Sequence, residues 1–174
     1  MKTLLAFSLV LPLVGGMLFT KSSGRNQKPS GAVVSYQYTY STTMAYPVTF
    51  YQVERDSKGE IQIAWLNQYG PDVCFIRGSE EVLKQIGTIS AQYKLHRLKN
   101  HYYPSVEILD GDSWNTYLRF EKGSISSGGN NASAPAKLME GIHRINSYLQ
   151  SVIDASTEED IIRREDYRDF RNRY

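Results

Sequence analysis

One cysteine, Cys74, stands in the whole chain, so no intramolecular disulfide can form and the core must rest on packing. No charge of either sign is in excess. Taking Lys2 and Lys21 from the 20 basic residues leaves 18, equal to the 18 acidic ones. That balance argues against a nucleic-acid binder, which carries a basic excess on one face. Tryptophan is scarce, with 2, whereas tyrosine is abundant, with 13 against 6 Phe. The 174 residues suffice for one domain with a real core and are too few for two comfortable ones.

No hydrophobic run is long enough to cross a bilayer. The best is Leu4 to Val14, which Pro12 interrupts and Gly15 and Gly16 close. Lys2 ahead of it and the compact residues behind it predict an export signal, with cleavage after Gly16 or Gly24. The expected layout is leader and signal over 1–24, a polar linker over 25–30, one domain over 31–154 and a charged tail over 155–174. The mature form is expected in the periplasm or outside the cell, with no membrane span. No cysteine follows the leader to carry a lipid.

From Gly31 the apolar period is two. Val34, Tyr36, Tyr38 and Tyr40 fall on one face and Ser35, Gln37 and Thr39 on the other. A half-buried strand explains this alternation better than an aromatic platform for sugars, because any half-buried strand shows it. Residues 46 to 66 predict a hairpin turning at Asp56-Ser57-Lys58-Gly59, with Ile61, Ile63 and Trp65 on one face. Tyr69-Gly70-Pro71-Asp72 is a second turn, and Val73 to Arg77 a short apolar strand. Turns this short favour antiparallel neighbours.

Ser79 is placed to cap a helix with Glu80 and Glu81 in its first turn. Val82, Ile86, Ile89 and Tyr93 make its buried stripe, and Lys94, His96 and Arg97 follow near its end. Val106 to Leu109 predicts a short edge strand. A second helix is expected from Pro135, with Ser133 as its cap and Leu138, Ile142, Ile145, Leu149 and Val152 as its stripe. His143, Asn146 and Gln150 are expected to face away from that stripe. Residues 158 to 173 mix acids and arginines without a sustained apolar stripe, which predicts a solvated helix or disordered tail.

Between the helices lies the most distinctive stretch, Asp110 to Pro135. An Asp-Gly turn precedes a strand with Trp114, Thr116, Leu118 and Phe120 on one face. Lys122-Gly123 turns the chain, and Ile125 pairs back across the hairpin. Then comes Ser126-Ser127-Gly128-Gly129-Asn130-Asn131, expected as a loop. Its plain role is a connector. Its functional role is a set of backbone and amide groups ahead of a helix N-terminus, suited to a polar or anionic ligand. These six residues are the candidate ligand site.

Catalytic and metal motifs are missing. Gly123-x-x-x-x-Gly128 lacks the Lys-Ser/Thr that a phosphate loop needs, and no G-x-S-x-G occurs. His96, His101, His143, Asp110 and Asp112 have no recognised ligand spacing, and Asp110-Gly111-Asp112 lacks the downstream ligands of a calcium loop. Neither a metal nor a cofactor is indicated. Cys74 sits between Val73 and Phe75, where cysteine behaves as a small hydrophobe.

Trp114, the Lys122-Gly123 turn, Ile125-Ser126-Ser127-Gly128, Asn131-Ala132 and Pro135 together resemble a pattern in uncharacterised exported or envelope-associated bacterial proteins. The pattern is a Trp strand, a glycine turn, I-x-S-x-G, then Asn-Ala and a Pro before a helix. Asp112 departs from it, standing where an aromatic residue is expected. The resemblance implies architecture and carries no activity.

The expectation is therefore an α+β domain. An antiparallel sheet of five to seven strands packs on two amphipathic helices, in the order βββ(β)αββα. The expected role is a small exported binding module whose ligand is a protein or a polar or carbohydrate molecule. The alternatives are a hydrolase using Cys74 or the pair Asp110 and Asp112, or a secreted inhibitor of another enzyme.

Overall fold

The computed structural model describes residues 28–42, 47–66, 72–106, 108 and 111–172. The leader, the first half of the linker, the turn at 67–71 and Asp110 lie outside the described residues. The fold is α+β, with a mixed and mostly antiparallel sheet. Four strands form a meander: β1 (Ser30–Ser41), β2 (Pro47–Arg55), β3 (Ile61–Leu66) and β4 (Asp72–Arg77). Helix α1 (Glu80–Tyr93) and a 3-10 turn (Leu95–Arg97) lead to β5 (His101–Tyr102). The hairpin β6 (Ser113–Lys122) and β7 (Ser124–Asn130) precedes α2 (Ala136–Asp154). A second 3-10 turn (Glu158–Asp160), β8 (Ile161–Asp166) and short α3 (Tyr167–Arg171) end the described chain. The eight strands lie in the order β5-β7-β6-β1-β2-β3-β4-β8.

The sheet is larger than the five to seven strands expected, and two additions explain it. Strand β5 adds parallel to β7, pairing His101 with Gly128, a contact too short to show a period. Strand β8 comes from the segment expected to be solvated. It pairs antiparallel with β4, and Phe170 of α3 is 4 % exposed, against Phe50 and Phe75. Alternation along β8 places Arg163 over the Phe75 ring and Arg164 beside Cys74. A strand whose side chains are mainly charged still gains a full ladder of backbone bonds, and charge on an edge strand discourages further pairing.

Both long helices cover one face of the sheet. Their buried residues (Val82, Leu83, Ile86 and Ile89 of α1; Ile142, Ile145 and Leu149 of α2) meet Tyr36, Val53, Ile63, Leu118 and Ile125. Ile125 pairs back across the hairpin as expected, opposite Leu118, and Trp114, Thr116 and Leu118 are buried on its inner face. Gly141 lets the helices touch, since a Cβ there would lie 2.5 Å from Tyr93 Cβ of α1. The opposite face divides. Its β2-β3-β4 half is covered by α3, through Phe50, Ala64, Val73, Phe75 and Phe170. Its β7-β6-β1 half is open and polar.

Several local expectations change. Val33, not Val34, joins the core with Tyr36, because the register of β1 on β6 shifts around Val33 and inverts the alternation there. Ser79 holds the N-cap position of α1 but its hydroxyl caps nothing, and α2 is capped by Pro135 without a side-chain bond, so Ser133 has no capping role. Lys94, His96 and Arg97 lie beyond the end of α1. Of the strand expected over Val106 to Leu109, residues 107 and 109 lie outside the described residues, and Val106 and Ile108 are exposed and in no strand.

Candidate functional site

The tyrosine row of β1 is where the sheet meets α2. Tyr36 is deepest, 1 % exposed, and its hydroxyl donates to Asn146 Oδ1 at 2.6 Å. On the neighbouring strand the Tyr51 hydroxyl donates to Gln150 Oε1 at 2.6 Å, and Gln150 Nε2 donates to Asp154 Oδ1 at 2.7 Å. Asn146 and Gln150 therefore face the sheet, correcting the expectation that they point away. Asn146 lies four residues after Ile142 and three before Leu149, so the helical repeat puts it on the buried row; polarity masked a position that periodicity already marked.

Toward the open end of this row the sheet and α2 part, leaving a cleft of about 850 Å³. Tyr38, Tyr40, Tyr51 and Trp114 supply its aromatic walls, with Ile108 and Met139 beside them. Thr49, Asp112, Ser133, His143, Ser147 and Asn146 supply polar groups. His143 is exposed, as expected, and still lines the opening. The Tyr40 hydroxyl donates to Asp112 Oδ2 at 2.7 Å. The Trp114 indole N–H donates to the Ala132 carbonyl at 2.8 Å, which fixes the wall formed by residues 131–133. Among the described residues, the Tyr38 hydroxyl makes no hydrogen bond.

The six residues singled out from the sequence form a strand rather than a loop. All but Asn131 belong to β7 and ladder onto β6 from Arg119↔Ser124 to Ser113↔Asn130. Ser127 Oγ donates to the Lys99 carbonyl at 2.7 Å, and the Gly128 N–H to the Asn100 carbonyl at 3.2 Å. Gly129 is small because of its neighbours: a Cβ would lie 2.7 Å from Trp114 Nε1 and would also strike the Ala132 carbonyl. Turn-forming composition misled the sequence reading, because glycine also serves where another side chain crosses the strand closely. Ser126, Ser127 and Gly128 line a shallow polar depression of about 170 Å³ on the other face of the sheet, with Gln37, Asn100 and Asn115. Asn130 is exposed, and Gly129 is buried. Asn131 alone lines the large cleft, held in the left-handed region at φ 50°, with its Oδ1 accepting from the Asp112 N–H at 2.8 Å.

Of the residues considered for catalysis, Cys74 is 2 % exposed inside β4, and Asp112 is tied to Tyr40. Among the described residues no three metal-ligating side chains come together, and no helix is long and apolar enough to cross a membrane.

The phenols are held neutral. Burial pushes Tyr38 up to about 12 and raises Tyr36 and Tyr51, while the hydrogen bond to Asp112 is the main cause raising Tyr40. Unfolded tyrosines ionise near pH 10. Between about pH 10 and pH 12 the folded state thus holds more protons than the unfolded one, and stability falls as pH rises. The stabilisation is complete below pH 10 and lost on passing the folded value. Urea midpoints should accordingly stay level up to about pH 9 and drop steeply from pH 10 to 12. Tyrosinate absorbance should show a late-titrating group in the native protein; a single titration of all tyrosines near pH 10 would contradict the packing of this row.

No protein-family model matches the chain, and no curated protein matches it in a sequence search.

Proposed function

We propose that the protein is a small exported binding module and that its ligand occupies the cleft between the tyrosine row and α2. The observation that carries this reading is Tyr38, which lines the cleft and whose hydroxyl makes no hydrogen bond among the described residues, although the phenols on either side are tied to fixed acceptors. A concave, largely aromatic space with a few oriented polar groups is the usual form of a small-molecule site. Its volume of about 850 Å³ lies within the range such sites occupy. Export is supported by the basic start, the apolar stretch from Leu4 to Val14 and the compact residues that follow. The segment 126–131 contributes Asn131 to this site, and its shallower depression on the opposite face is a second, weaker surface.

A plug tests the proposal. Ser147 is exposed on α2 and lines the cleft, and serine and tryptophan have similar helix propensities, so Ser147→Trp fills the space at small structural cost. A mixed library of neutral, cationic and anionic fragments, screened by ligand-observed NMR, supplies the probes. Fragments that bind the wild type should bind the plugged variant at least about tenfold more weakly, with the melting temperature nearly unchanged. Undiminished binding by the plugged variant would remove the cleft from consideration.

A further inference from the structure

We infer that the cleft selects a small organic cation bearing an ammonium group; this rests on the cleft being the binding site. Three features of the lining point the same way.

The first is charge. Among the described residues Asp112 is the one carboxylate lining the cleft, and neither lysine nor arginine lines it. Among the described residues Asp112 enters no salt bridge, and its Oδ1 has no hydrogen-bond partner. A cation entering the cleft therefore meets an uncompensated negative charge, and an anion meets the same charge as repulsion.

The second is the hydrogen-bond inventory. The hydroxyl protons of Tyr40 and Tyr51 are already spent on Asp112 and Gln150. Both phenol oxygens are left with lone pairs, as is Asp112 Oδ1. The capacity remaining near Asp112 is thus weighted toward acceptors, and an ammonium group is all donor.

The third is aromatic density. Tyr38, Tyr40, Tyr51 and Trp114 line one space, and rings of this kind attract cations through their quadrupole. A phenol ionises only at about pH 10 or above, so these rings are neutral and retain that character over the physiological range.

Two features oppose this: the basic imidazole of His143 lines the same opening, and α2 contributes its N-terminal end. The N-terminus of α2 carries partial positive charge. The residues of α2 that line the cleft begin at Met139, which closes the first turn, and its N–H is already bonded to the Pro135 carbonyl at 3.1 Å, so it offers an anion no free backbone donor.

The test titrates the full chain with n-butylammonium, tetramethylammonium, 1-pentanol and butyrate, following the Trp114 indole and Asn146 side-chain amide resonances by NMR. The ammonium probes should shift these resonances at concentrations about tenfold below those needed for pentanol, and butyrate should be weakest. Asp112→Asn should weaken the ammonium probes by about tenfold and leave pentanol unchanged. Tyr40→Phe keeps the ring and frees the carboxylate, so ammonium binding should persist, which covers the case in which Asp112→Asn fails to fold. Pentanol or butyrate shifting the cleft resonances as readily as the cations would overturn the ammonium assignment while leaving the cleft as a site. If the cations and the fragment library all leave those resonances unmoved, both the assignment and the cleft reading fall.

Discussion

Replacing Trp114 with alanine should cost about 3–5 kcal/mol and lower the melting temperature by roughly 10 °C, as a buried aromatic truncated in a rigid core does. Trp114 is 5 % exposed. Its ring packs 6.0 Å from that of Tyr102, over a glycine that leaves room for it, and its N–H holds the Ala132 carbonyl. Losing it opens a cavity, strands an acceptor and frees the segment that carries Asn131 into the cleft. Binding should fail along with stability. Tyr103→Ala, at a ring 78 % exposed, serves as the comparison and should change stability little. A Trp114→Ala protein melting within a degree or two of wild type would show that the ring is not the keystone of this wall.

The second large effect is expected at the other end of the sheet. Phe170→Ala should cost about 3 kcal/mol, because Phe170 closes the small core over Phe50 (ring centroids 5.2 Å) and Phe75 (5.9 Å). Deleting residues 155–174 should do more. It removes the partner of the β4 edge and uncovers Phe50, Val73 and Phe75, so amides of β4 should lose hydrogen-exchange protection and the protein should tend to associate through that edge. A solvated tail, as the mixed charges of this segment suggest, would give neither result. Unchanged melting and exchange after the deletion would restore that reading.

These two sites mark where the sequence was and was not legible. The two-residue period of β6 and the three-to-four-residue stripe of α2 revealed their elements, because one buried face imposes each period. The C-terminal strand left no such trace. Ile161 and Ile162 are adjacent, the residues that follow are charged, and the ladder with β4 is made by backbone atoms that sequence does not encode. The polar β7 segment was misassigned for a related reason: its glycines reflect the proximity of Trp114 and the Ala132 carbonyl, which are distant in the pattern though close in space. Of the cleft, the tyrosine row was visible as an alternation. Its polar side was not, because Asn146 and Gln150 looked like solvent-facing breaks in an apolar stripe until the hydroxyls of Tyr36 and Tyr51 were found opposite them.

The central claim is that ligand binding belongs to the cleft. Its most direct measurement is chemical-shift mapping of the full chain with the strongest binder from the mixed fragment library. The Trp114 indole N–H, the Asn146 side-chain amide and the backbone amides of Tyr38 and Ser147 should move together and saturate with one dissociation constant. Shifts confined to Gln37, Asn115, Ser126 and Gly128, on the opposite face of the sheet, would contradict the account and place recognition on the strand β7 depression.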